Sequence, residues 1–199
     1  QENGGGMFLS NTSSKITDVW IYFNEALGQS GESGSGGGGG MATSEASPVL
    51  TNVLIVGNSS SSYGAGAAFG EGNPVLKNTT IARNSATNVA GGVFIYGTNL
   101  TLLNTLLWGD SPNEIYVKSG TLNVEYSDVQ GGQNGIMIET DSTGTIIWGE
   151  GSISLEPFFC DPDAGDFSIA ENSPCAGTGL NGVNIGAFGI GCEAVMPAP

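Results

Sequence analysis

The stretch VLKNTTIARN (75–84) decides the fold, because the chain says nearly the same thing one period earlier, VLTNVLIVGN (49–58), and one period later, TLLNTLLWGD (101–110). A more distant copy, KITDVWIYFN, occupies 15–24. Each copy follows a short Gly-apolar start: Gly6-Met7-Phe8, Gly40-Met41-Ala42, Gly66-Ala67-Ala68 and Gly92-Val93-Phe94. The first interval is the longest, and its surplus falls in GQSGESGSGGGGG (28–40), a flexible loop by composition.

Aligned copies form columns. Ile16, Leu50, Leu76 and Leu102 make one aliphatic column, and Ile21, Ile55, Ile81 and Leu107 another. Asp18, Asn52, Asn78 and Asn104 run between them, and Asn24, Asn58, Asn84 and Asp110 close each copy. Apolar residues come in short β-branched runs punctuated by Gly, Asn and Ser, which is strand-and-turn punctuation rather than helical spacing. A short period built from strands alone predicts a solenoid, because one coil cannot bury its apolar face without a neighbour about 4.8 Å away. Lys77 must face water, so strand alternation places Leu76 and Asn78 inward. Asn at a bend is expected to give its amide to the carbonyl of the same column one coil away and to accept the left-handed backbone of a corner. Both Asn columns are therefore read as structural ladders.

Beyond Asp110 the repeat loosens. Segments 115–132 and 135–159 still alternate and turn at Gly, and read as a fifth and sixth coil in which Tyr126 and its neighbours replace the Asn ladder. From Cys160 onward the chain is rich in turns and reads as a cap over the last coil. The fold expected is an all-β, right-handed parallel β-helix of about six coils over 1–159, with a C-terminal cap and tail over 160–199.

GGVF (91–94), the recurring N-x-x-I/L-x-x-N and VEYSDVQGG (124–132) resemble secreted bacterial right-handed parallel β-helix proteins of the pectate-lyase-like and polymorphic outer-membrane-protein repeat type. The ending LEPFFCDPDAGDFSIAENSPCAGTG (155–179) with NIGAFG (184–189) is similar to their C-terminal cap of the choice-of-anchor type. This resemblance implies extracellular placement at a cell surface and a surface or adhesive role. It does not imply an activity, since one solenoid serves many functions. Two departures stand out: a Cys common before the Ile-Gly-Ala stretch of such caps is missing, and QENGGGMF (1–8) brings no segment to cover the first coil. An uncovered coil edge predicts either a missing upstream domain or pairing with a second copy, head to tail, into a filament.

Charge narrows the partners. Lys and Arg number 4 against 19 Asp and Glu, there is no His, and the net charge is −15. Nucleic acid is a poor partner for such a surface, and no apolar run reaches the roughly 18 residues of a membrane span. Surface glycans and other copies of the chain remain as partners. Lyase chemistry on this fold needs a base beside clustered acids, yet none of Lys15, Lys77, Arg83 and Lys118 has an Asp pair at a matching column. The expectation is a non-catalytic structural or adhesive protein, with a polysaccharide-binding or pectate-lyase-like protein as the alternative. Asp161, Asp163 and Asp166 in DPDAGD (161–166) are candidate Ca²⁺ ligands, or simply a tight turn. Cys160 and Cys175 are expected to form a disulfide and leave Cys192 over, with Cys175–Cys192 as the other pairing. Trp20, Tyr22, Phe23, Trp108 and Trp148 are either a strip for sugars or a partner, or packing residues.

Overall fold

The computed structural model describes residues 5–27 and 37–195. It is an all-β solenoid of about 6 turns, 47% strand, and so bears out the expected parallel β-helix. The strands of each coil pair in parallel with their equivalents above and below. In the third coil these are Ala67–Gly72, Val75–Lys77, Thr80–Ala82 and Ser85–Ala86. In the fourth, the first two merge into one long strand, Val93–Leu103. The aligned copies fall in register as the columns require: Leu76 lies between Leu50 and Leu102, and Ile81 between Ile55 and Leu107. The fifth and sixth coils are present as well, with Ile115–Val117 and Gly120–Glu125 pairing with Ile136–Ile138 and Thr145–Trp148.

One continuous core fills the tube, and it includes the two aliphatic columns, Phe69, Leu100, Leu122 and Val129. Stacking lets each side chain pack on its own equivalents, so bulk in one coil is offset by a small residue in the next, as with Met41 against Ala67.

Most of the Gly-rich stretch, 28–36, lies outside the described residues. Gly37–Gly40 do not behave as loop. All four are buried, Gly37 bridges Tyr63, and a Cβ on Gly40 would stand 2.6 Å from the Gly66 carbonyl oxygen. They are therefore part of the second coil's wall, where only a residue without a side chain fits against the next layer.

The C-terminal segment does not sit over the last coil as the cap reading expects. It forms a small three-stranded sheet, Phe159–Asp161, Asp166–Ala170 and Ile190–Cys192, laid along the outside of the sheet that runs from Trp20–Tyr22 to Asp128–Val129. The cause is the outward row of that sheet. Leu54-Ile55-Val56 and Leu106-Leu107-Trp108 are apolar on both faces, a pattern that needs cover on both sides. Phe159, Phe167 and Phe188 pack on Leu54, Val56 and Ala82, while Ile169, Cys175 and Ile185 pack on Leu106. The Ala187 amide donates to Thr80 Oγ1 at 2.9 Å and the Gly186 amide to the Asn104 carbonyl at 2.9 Å, which ties the segment to the coils.

Leu76→Ala is expected to lower unfolding stability by about 2–5 kcal/mol, since its column cannot collapse into the space. Lys77→Ala, one residue along and facing water, should change it by less than about 0.5 kcal/mol. Urea titration of both variants checks the inward–outward assignment, and equal losses would contradict it.

Candidate functional site

The two Asn columns occupy different kinds of corner. Asp18, Asn52, Asn78 and Asn104 all have positive φ, from 47° to 56°. This left-handed step interrupts the alternation, so Asn78 rides half-buried at the bend and the next residue, Thr79, points into the core. The expected inward Asn78 is corrected on this point. The buried column is Val53, Thr79, Thr105 and Ser127. The hydroxyls of Thr79, Thr105 and Ser127 each donate to the carbonyl two residues back, at 3.1, 3.2 and 2.8 Å, and satisfy the corner's own backbone. Tyr126 takes the same left-handed corner in the fifth coil, with φ 46°.

The second column is interior. Asn58 Oδ1 accepts from the Asn24 backbone amide at 2.9 Å and from Asn24 Nδ2 at 3.0 Å. Asn84 Oδ1 accepts the same pair from Asn58, and Asp110 Oδ1 the same pair from Asn84 at 2.7 and 2.8 Å. The Nδ2 groups of Asn58 and Asn84 also reach a carbonyl of the coil behind, Ile21 and Ile55, while that of Asn24 reaches Tyr22 of its own coil. The amide thus goes to the side-chain oxygen of its own column and to the backbone of another, rather than to the carbonyl of its own column. Here the residue before the Asn supplies the left-handed step: Phe23, Gly57, Arg83 and Gly109.

The ladders run in opposite directions. In the interior one donors face up the solenoid. In the corner one, Asn52 Nδ2 donates down to Asp18 at 3.0 Å and Asn104 Nδ2 down to Asn78 at 3.4 Å, while Asn104 Oδ1 accepts the Leu180 amide. Each ladder carries Asp only at its accepting end, where nothing has to be donated onward.

At the interior ladder's end, Glu114 Oε1 accepts the Asp110 amide at 3.0 Å and its carboxyl meets that of Asp110. Asp110 Oδ2 and Glu114 Oε2 are buried with no donor from the protein, and one proton held between them satisfies both. Burial first, then the Asp110 charge, pushes Glu114 up to about 10. Asp128 is a second buried acid, raised to about 6 mainly by desolvation, and it faces Cys175 Sγ at 3.1 Å.

The disulfide joins Cys160 to Cys192, not to Cys175. Cys175 is fully buried against the coils, where burial and Asp128 push its thiol up and keep it protonated. Cys160 and Cys192 stand on the two outer strands of the small sheet, with Cα atoms 5.8 Å apart. Asp161, Asp163 and Asp166 do not converge. Asp161 accepts the Ala164 amide, Asp166 accepts from Ser168, and Asp163 pairs with Arg83 at 2.6 Å. Among the described residues no three acids, Cys or His gather as a metal site, so the Ca²⁺ reading of this loop gives way to the tight turn.

An aromatic cleft of about 530 Å³ opens at the first coil. Trp20, Tyr22 and Phe23 form one wall, Leu54 and Val56 the floor, and Arg83, Asp163 and Phe167 the other wall. It exists because the C-terminal segment ends its cover at Phe188, whose ring meets Trp20 edge-on at 5.7 Å. Trp20, Tyr22 and Phe23 are left 60%, 55% and 79% exposed. Phe23 lies across Gly57, where a Cβ would stand 2.6 Å from its ring. Arg83 spans the cleft to Asp163 and the Pro162 carbonyl. Trp108 and Trp148 are instead partly buried packing residues. Comparison with protein-family models, with curated proteins and with solved structures finds no match.

Glu114 and Asp128 hold protons in the fold that the unfolded chain gives up at lower pH. Their stabilising contribution is therefore complete below about pH 4 and is lost as pH rises, by about 6 for Asp128 and about 10 for Glu114. Urea midpoints are expected to fall from pH 5 to pH 9, and Glu114→Gln, which keeps a donor toward Asp110, should flatten the decline above pH 6. A wild-type profile that Glu114→Gln leaves unchanged would contradict the shared proton.

Proposed function

We propose that the protein is a non-catalytic adhesive solenoid of the extracellular space, holding its partner through the aromatic cleft of the first coil. The observation that carries this reading is the exposure of Trp20, Tyr22 and Phe23 together, on a face whose equivalent residues Leu54, Val56, Ala82 and Leu106 are all covered. Contiguous exposed aromatics of this kind mark interaction surfaces. The Cys160–Cys192 bridge closes a 32-residue separation and fits an oxidising compartment. Asp110, Glu114 and Asp128, the acids with raised pKa values, are buried in the coils and away from the cleft, so they serve the fold.

Beads coated with the protein and washed over immobilised cell-wall and extracellular-matrix material test this. At least one surface is expected to hold them, and a Trp20→Ala/Phe23→Ala variant to be held at under a tenth of that level. Sustained release of sugar ends from polysaccharides, with or without Ca²⁺, that Arg83→Ala abolishes would reverse the reading in favour of an enzyme.

A further inference from the structure

We infer that the cleft takes an uncharged polysaccharide, its sugar rings laid flat on Trp20 and Tyr22; this rests on the adhesive reading above. Trp20 and Tyr22 are two residues apart on one strand, so both project from the same face about 7 Å apart. Two separate exposed aromatic side chains at that spacing match a chain of ring units rather than a single planar molecule. One face of a pyranose ring is a set of C–H bonds carrying slight positive charge, which suits the negative face of an aromatic ring. The hydroxyls around the ring's rim need polar partners at the platform's edge. Asp163, 88% exposed, and the Arg83 guanidinium stand there and offer acceptor and donor side by side.

Charge excludes the acidic polymers. Among the described residues Arg83 is the only cation lining the cleft, and Asp163 already neutralises it at 2.6 Å. A uronate or sulfate chain would approach a protein of net charge −15 with no free cation at the cleft to receive it. An uncharged chain meets no such barrier, and the cleft volume of about 530 Å³ lies within the range of small-molecule sites.

Affinity electrophoresis through gels containing soluble polymers tests the inference, with β-glucan, xyloglucan and galactomannan as neutral probes and polygalacturonate and alginate as anionic ones. At least one neutral polymer is expected to retard the protein while both anionic ones leave it unretarded. Trp20→Ala and Tyr22→Ala, both surface changes, should weaken retardation at least tenfold with the unfolding midpoint unchanged. Stronger retardation by an anionic polymer, none by any neutral one, or retardation indifferent to Trp20→Ala would overturn the inference. If beads still adhere through Trp20 while no neutral polymer retards the protein, the glycan assignment falls and the adhesive reading stands; if neither occurs, both fall.

Discussion

A stacked coil turns its backbone at every corner, and at a corner the strand pairing that satisfies peptide groups elsewhere is interrupted. Buried peptide groups cost on the order of 1–3 kcal/mol each when left unpaired, so the corners decide whether the tube closes. Here the corners are closed by amide side chains that pass hydrogen bonds from coil to coil, or by hydroxyls that fold back on the carbonyl two residues earlier. Asn84 alone takes Asp110 and the Ile55 carbonyl through Nδ2 and two Asn58 donors through Oδ1. That fourfold use explains why Asn, with two donors and two lone pairs on one planar group, recurs where Asp, Ser or Thr would leave a partner unmet. The same need for closeness explains the Gly that begins each coil: a Cβ on Gly66 would stand 3.1 Å from Asn84 Nδ2 and 2.7 Å from the Gly92 carbonyl.

The direction of the ladders has a consequence for charge. Donors aligned one way deliver their partial positive ends to a single terminal acceptor, so a buried carboxylate at Asp110 is solvated by the ladder itself. Its other oxygen is met by the proton of Glu114. This arrangement appears where the coil length changes, after the last copy of the Asn motif, and it ends the ladder without an open amide. Asp18 does the same for the corner ladder, at an exposed position where it accepts from Asn52.

Much of the fold could be read from residues alone, since the period, the register and both aliphatic columns rest on the simple rule that stacked coils put like on like. What that rule cannot carry is anything that depends on contacts distant in sequence. Asp163 is 80 residues from Arg83, and Phe188 meets Trp20 from the far end of the chain. The Cys pairing failed for the same reason, since spacing favours the short loop while burial against Asp128 removes Cys175 from reach. One signal was present and pointed to the lateral cover: Leu54-Ile55-Val56 and Leu106-Leu107-Trp108 are apolar without alternation, whereas Trp20-Ile21-Tyr22 carries amphipathic aromatics on the outward row. Glu114 had no such mark, because an acid near a turn looks solvated until the stack encloses it. The exposed aromatic wall is thus the place where the outward row stops matching the covering segment.

The stack depends on the polarity of the interior ladder, and exchanging its donors and acceptors is the most direct trial. Unfolding free energies of Asn84→Asp and Asp110→Asn, measured side by side at neutral pH, should differ sharply. Asn84→Asp removes the donor in mid-ladder and sets a second buried charge against Asp110, for a loss of about 3–5 kcal/mol. Asp110→Asn keeps the acceptor at the end and offers an amide to Glu114, for a change within about 1 kcal/mol. Equal losses, or a greater loss for Asp110→Asn, would mean that the stack is not held by amides passing from coil to coil.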